Sequence, residues 1–237
     1  MPRFPSSSSQ KGLTLNEIAI TLTVSGLLMG SVLAGQEMIA SSRVRSLITQ
    51  QDSIKTAYLG FLDRYRALPG DYGRASTNIK GVAAGADGNN NGQITAVGVA
   101  GATIDEHIAA WDHLSKAGFI SDIYTYAAAP ETEASAPINA YGRFLQLTYD
   151  NVYGTGTLSK RHNLKTGNQI HSIILAELDR KIDDGIATSG TFRFSAYNGG
   201  GTGDAAPTGA GACYTAPGLA VWSAAVQVAN CGGARLF

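Results

Sequence analysis

The chain has 237 residues, with 18 Lys plus Arg against 18 Asp plus Glu, 29 Gly and a 44% apolar share. Zero net charge argues against a nucleic-acid binder that works through a strongly basic surface, and no nucleic-acid partner is expected. The apolar share is large enough for a core and excludes wholesale disorder. Two cysteines are too few for a disulfide scaffold; they suit one bridge in an exported chain or two inert buried thiols.

Residues 1–12, MPRFPSSSSQKG, are polar, Ser-rich and basic through Arg3 and Lys11. From Ile18 to Gln36 there are 19 residues without a charge. As a helix these span about 28 Å, close to the ~30 Å hydrocarbon core of a bilayer. Basic residues ahead of the run predict a cytoplasmic N-terminus and export of the rest. Glu17 stands at the mouth of the apolar run, where a carboxylate is costly and needs a partner. No Lys or Arg lies between Gly12 and Arg43, so the expectation is that another chain supplies the positive charge, or that Glu17 sits at headgroup level.

Val32-Leu33-Ala34 has the small-residue pattern of a signal peptidase site, which would release a soluble domain cut after Ala34. The helical pattern runs past that point. Val44, Leu47, Ile48, Gln51, Ile54, Tyr58, Phe61, Leu62 and Tyr65 recur at three- and four-residue steps among Arg43, Arg45, Asp52, Lys55, Asp63 and Arg64. Pro69-Gly70 is the expected stop. One helix of about 55 residues and ~80 Å follows, apolar all round in its first half and one-faced in its second. A membrane anchor that continues as the spine of a domain explains both halves; a cleaved signal explains only the first.

The segment Lys11-Gly12-Leu13-Thr14-Leu15-Asn16-Glu17 resembles the processing site of type IV pilins and of the pseudopilins of type II secretion. That site has a Gly, then Phe-Thr-Leu, any residue and Glu, ahead of an apolar helix; here Leu13 stands where Phe is usual. The resemblance implies cleavage after Gly12 by a prepilin peptidase and N-methylation of Leu13. It also implies that Glu17 pairs with the N-terminal amine of a neighbouring subunit, and that the partners are the membrane, an inner-membrane assembly platform and other pilin subunits. Loss of Arg3 and Lys11 with the leader would leave a weakly acidic mature chain. The implied division is a leader at 1–12, a transmembrane or filament-core half-helix at 13–42, an amphipathic half-helix at 43–68 and a head at 69–237. Four further blocks look like ones found together in large prepilin-like proteins. They are Leu68-Pro69-Gly70-Asp71-Tyr72, the run from Asp87 to Ile94, Trp111-Asp112-His113-Leu114 and Lys181-Ile182-Asp183-Asp184-Gly185.

In the head, residues 69–104 are Gly-, Ala- and Asn-rich and read as a long loop with at most one short element. Residues 105–117 read as a helix, with Asp105 and Glu106 at its N-terminus, Ile108, Ala109 or Trp111, and Leu114 inward, and Gly118 as its stop. Residues 143–149 and Val152-Tyr153 have strand character, as do 191–197 and 219–222. Residues 169–182 read as an amphipathic helix with Asn168 as cap. Residues 198–211 read as a loop. The expected class is α+β, a long N-terminal helix covering the apolar face of a small antiparallel sheet, with one or two extra helices.

Asp87, Asn89 and Asn91 sit at relative positions 1, 3 and 5 of a calcium-loop pattern, with Gly92 at the turn and the Gln93 carbonyl next. The acid usual at position 12 is replaced by Gly98, so Glu106 or Asp105 would have to swing in. With one anionic ligand in the run, Ca2+ affinity would be weak, about 10⁻⁴–10⁻³ M. An Asn/Gly turn that binds nothing is the alternative. Cys213 and Cys231 enclose 17 residues and, in an exported chain, are expected to bridge. Asp179, Asp183 and Asp184 suggest a cation site, but Asp183-Asp184-Gly185 more simply caps a helix and turns the chain. His107, His113, His162 and His171 fit no zinc spacing. The tyrosines Tyr124, Tyr126, Tyr149, Tyr153 and Tyr197 are read as packing residues before a binding surface. There is no nucleophile elbow and no Walker loop, so an enzyme is not expected. Two classes remain: a plain filament subunit, and a specialised minor or tip subunit with recognition loops at 73–104 and 198–212.

Overall fold

The computed structural model describes residues 12, 14–154, 159–200, 205–215, 219–226 and 228–237. The chain divides into two compact units, Met1–Ser42 and Arg43–Phe237. A single helix, α1 (Leu15–Tyr65), runs through the boundary. It stops earlier than the proline predicts. Arg66 takes a left-handed φ of 53° while its N–H still bonds to the Leu62 carbonyl, so the chain leaves the helix three residues before Pro69.

In the second unit α1 buries Val44, Leu47, Gln51, Ile54, Ala57, Tyr58 and Phe61. These lie at three- and four-residue steps, one stripe of the cylinder. Ile54, Tyr58 and Phe61 share a core with Ile94, Trp111, Leu114, Leu145, Leu147 and Leu164. Full burial of one such side chain contributes about 1.5–3 kcal/mol, so this stripe holds α1 to the head. A short helix, α2 (Ala75–Asn78), interrupts the long loop. Helix α3 (Glu106–Lys116) forms where its signals place it: Asp105 accepts the His107 N–H at the N-cap, and Gly118, with φ 79°, ends it.

The sheet is antiparallel, in the order β1-β2-β4-β3. Strand β1 (Gln146–Asp150) lies within and just past the expected 143–149, whereas Val152-Tyr153 forms no strand. Strand β2 (Arg161–Lys165) was not expected, because its sequence is mostly polar. It is central nonetheless, pairing Leu147 with Leu164 on one side and Asn163 with Leu236 on the other. Burial of Lys165 is made tolerable by its ion pair with Asp150 on β1. Strand β3 (Phe192–Phe194) is the middle of the expected 191–197. Strand β4 (Gly233–Leu236) was also missed. It needs a small residue: a Cβ on Gly233 would come within 2.2 Å of the Phe192 ring. Residues 219–222 give only isolated bridges, Val221 to Ile186 and Trp222 to Tyr214.

Helix α4 (Ser172–Ile182) begins later than expected. Asn168 is not its cap; Gln169 turns through φ 62° and His171 occupies the cap position without a side-chain bond. Cys213 and Cys231 form a disulfide. Cys231 also exchanges two backbone hydrogen bonds with Ile170, so the bridge fastens the 208–214 turn to the segment between β2 and α4. Replacing both cysteines by serine is expected to cost about 3 kcal/mol, the loop-closure value for this length. Urea denaturation of the two proteins measures it.

Candidate functional site

Gly12 is exposed and non-helical. The leader residues 1–11 and Leu13, the expected methylation site, lie outside the described residues. Thr14 precedes the first helical residue and forms a reciprocal box with Glu17. The Glu17 Oε2 accepts from the Thr14 N–H at 2.8 Å and from its hydroxyl at 2.7 Å, and the Glu17 N–H donates back at 3.3 Å. This is a capping box, which satisfies helix donors that have no intrahelical partner. It corrects the expectation that Glu17 has no local partner: the carboxylate is held by a neutral one, three residues away. The sequence signal for this partner is the Thr14-x-x-Glu17 spacing of a capping box, which involves no cation.

Beyond the box, the large apolar side chains from Leu15 to Ile39 are exposed. Polar residues do not break this surface. The hydroxyls of Thr21, Thr23, Ser25 and Ser31 donate to helix carbonyls three or four residues back, so their hydrogen bonding closes within the helix. A Cβ on Gly26, Gly30 or Gly35 would meet nothing within 4 Å. By length and composition α1 can cross a membrane.

In the head, two buried carboxylates organise the 87–95 loop. Asp71 Oδ1 accepts the Asn91 N–H and Oδ2 the Gly92 N–H, both at 2.8 Å. Glu106 Oε1 accepts the Asn89 N–H at 3.1 Å, and Oε2 accepts the Thr95 N–H at 2.9 Å and its hydroxyl at 3.1 Å. Burial holds both carboxyls above the usual carboxylate range against these hydrogen bonds. Gly88 lets the loop reach its seat, since a Cβ there would fall 2.3 Å from the Gly70 carbonyl oxygen.

Of the residues expected to bind calcium, Asn89, Asn91 and Glu106 therefore come together, and Asp71 joins them unforeseen. The Asn89 and Asn91 side-chain amides both donate to the Ala100 carbonyl, and the Asn91 Oδ1 accepts the Gln93 N–H. Asp87 is used elsewhere: its two oxygens accept the Ser76 N–H and hydroxyl at 2.7 and 2.6 Å. The signal for Asp71 was its place after Pro69-Gly70, just beyond the helix. Its role as an acceptor for a loop twenty residues on is set by tertiary packing.

The histidines of α3 are structural. His113 Nδ1 accepts the Gly70 N–H and its Nε2 lies on the Ala86 carbonyl, both at 2.8 Å, so one ring ties both ends of the 70–86 segment to α3. Tyr124 and Tyr153 are buried, and Tyr126, Tyr149 and Tyr197 half-buried, as packing residues are. Of the 198–212 loop, residues 201–204 lie outside the described residues.

No family model, curated protein or solved structure matches this chain.

Proposed function

We propose that the chain is a filament subunit of the type IV pilin or type II secretion pseudopilin kind. One observation carries this reading: the Gly12-Leu13-Thr14-Leu15-Asn16-Glu17 segment runs directly into α1. That helix is apolar and exposed in its first half and buried on one stripe in its second. The apolar half stores the precursor in the inner membrane with the head exported. A prepilin peptidase cuts after Gly12, and Leu13 is methylated. An assembly platform then transfers the subunit into a filament, in the periplasm or at the cell surface, where the apolar half packs against other copies. In that setting Glu17 exchanges the Thr14 box for the N-terminal amine of a neighbour. An unpaired carboxylate in a filament core would cost several kcal/mol, so the pairing sets axial register.

The long connection between α1 and α3, which holds only the four-residue α2, favours a second, narrower reading, a minor or tip subunit with a recognition surface on its head. Abundance separates the two, since a major subunit dominates a sheared filament preparation.

Mass spectrometry of the mature N-terminus tests the reading. The expected result is N-methylated Leu13. A mature chain beginning at Gly35 would overturn it and leave a secreted domain. The Glu17→Val variant is expected to be processed and to accumulate in the membrane fraction, while its amount in filaments falls at least tenfold. Equal incorporation would show that Glu17 has no part in assembly.

A further inference from the structure

The end of α1 and the chain that follows it enclose a pocket of about 400 Å3, within the ~300–1,000 Å3 range of small-molecule sites. Tyr65 and Arg66 line it from the helix end, Tyr72 and Arg74 from the next turn, Asn78 from α2 and Asn90 from the 87–95 loop. Its walls are tied to one another. The Tyr72 carbonyl accepts the Gly88 N–H at 3.1 Å, and the Asp71 carbonyl accepts the Asn90 N–H at 2.8 Å. The Tyr65 ring centre lies 4.6 Å from that of Phe61 and 5.7 Å from that of Tyr72. Asn78 Nδ2 donates to the Tyr72 hydroxyl oxygen, which leaves the phenolic proton free to donate.

The lining is cationic. Among the described residues no Asp or Glu lines the pocket, and Arg74 makes no ion pair or hydrogen bond. Arg66 pairs with Asp63 at 3.4 Å, with both side chains more than 80% exposed. Such a pair is worth little and yields to a better-placed anion. A third guanidinium, that of Arg64, stands 5.3 Å from the Tyr65 ring centre. The backbone points to the same place. Four of the described non-Gly residues take a left-handed φ, and two of them, Arg66 at 53° and Asn90 at 59°, line this pocket. Gly is the usual residue just past a helix end in that conformation. With Arg66 the chain carries a guanidinium at the cost of an unfavourable backbone.

We propose that this pocket binds an acidic saccharide of the uronate class. A carboxylate answers the Arg66 and Arg74 guanidiniums, which match its planar geometry. Sugar hydroxyls both donate and accept, as do the Asn78 and Asn90 amides and the Tyr72 hydroxyl. An inorganic anion would leave those groups idle. The Tyr65 and Tyr72 rings are inclined at 41°, so they form no parallel slot for a flat nucleobase. The inference does not rest on the filament reading, and a mature chain beginning at Gly35 would leave the pocket as it is.

The test is calorimetric titration of the full chain in non-ionic detergent micelles with digalacturonic acid. Saturable binding is expected, at least tenfold tighter than that of neutral cellobiose or inorganic phosphate. Arg74→Ala should weaken it at least tenfold. Arg66→Gly should weaken it as much without lowering Tm, because Gly takes the left-handed turn at no cost. Arg161→Ala, an exposed cation outside the pocket, should leave it unchanged. Absence of saturable binding, or undiminished binding by both pocket variants, would overturn the proposal. Equal affinity for phosphate or for a short single-stranded oligonucleotide would overturn it as well, by showing that the pocket reads charge and not a sugar.

Discussion

Replacing His107 and His113 together by glutamine is expected to remove about 6 kcal/mol of stability change between pH 6.5 and pH 4. Burial drives both imidazoles down from 6.5 to about 4, with the Lys165 charge adding to the effect at His107. At ~1.36 kcal/mol per pH unit, each contributes about 3 kcal/mol. The folded value is the depressed one, so the unfolded chain binds the proton first as pH falls. The stability is therefore complete above 6.5 and is lost progressively on the way to 4. Geometry gives the same sign. His113 Nδ1 is an acceptor for the Gly70 N–H, and a proton there would set donor against donor. Its Nε2–H serves the Ala86 carbonyl. Glutamine can accept and donate at the same places without titrating.

Buried carboxylates run against this trend. Burial raises Asp71, Glu106, Asp112 and Asp179, so each favours the folded chain more as pH falls toward its unfolded value. The wild-type curve alone mixes both groups. The difference between wild type and the double variant, from urea denaturation at several pH values, isolates the two imidazoles. A difference that does not change between pH 6.5 and 4 would show that neither ring is buried neutral.

What the sequence shows plainly about this fold is what depends on local pattern. The α1 stripe, the Asp105 cap and the Gly118 stop of α3 are each contained within a few residues, and all three are found. What it hides is what depends on distant partners. Arg161–Lys165 looks like a polar loop until Asp150 neutralises Lys165 and two strands flank it. Gly233–Leu236 is too small and short to signal a strand, and its small size is what the Phe192 ring requires. The helix end at Arg66 likewise needs no breaker residue, only a backbone turn into the left-handed region. Among site residues, Glu17 is legible by position at the mouth of the apolar run, and its Thr14 bond by the capping-box spacing. The hold of Asp71 on the 87–95 loop emerges only once the chain is folded, because tertiary packing brings the two together.

Glu106→Ala is expected to cost about 4 kcal/mol, and that cost should be the same with Ca2+ or with a chelator. The carboxylate serves three donors: the Asn89 N–H, the Thr95 N–H and the Thr95 hydroxyl. Thr95 is buried, so its N–H has little access to replacement water, whereas its hydroxyl can still donate to the Val99 carbonyl at 3.0 Å. Each orphaned buried donor costs about 1–3 kcal/mol. Removing a charge that Asp71 opposes recovers part of the sum. Glu106→Gln should cost less, about 2 kcal/mol, because the amide keeps one acceptor while its NH2 faces a donor. The alternative use of Glu106, as the acid that completes a calcium loop with Asp87, Asn89, Asn91 and Gln93, makes a different forecast. There the loss would appear with Ca2+ and vanish with chelator, since removing a ligand weakens only the ion-bound state. Urea denaturation of the three proteins under both conditions separates an acid that holds the loop by its own backbone from one that waits for an ion.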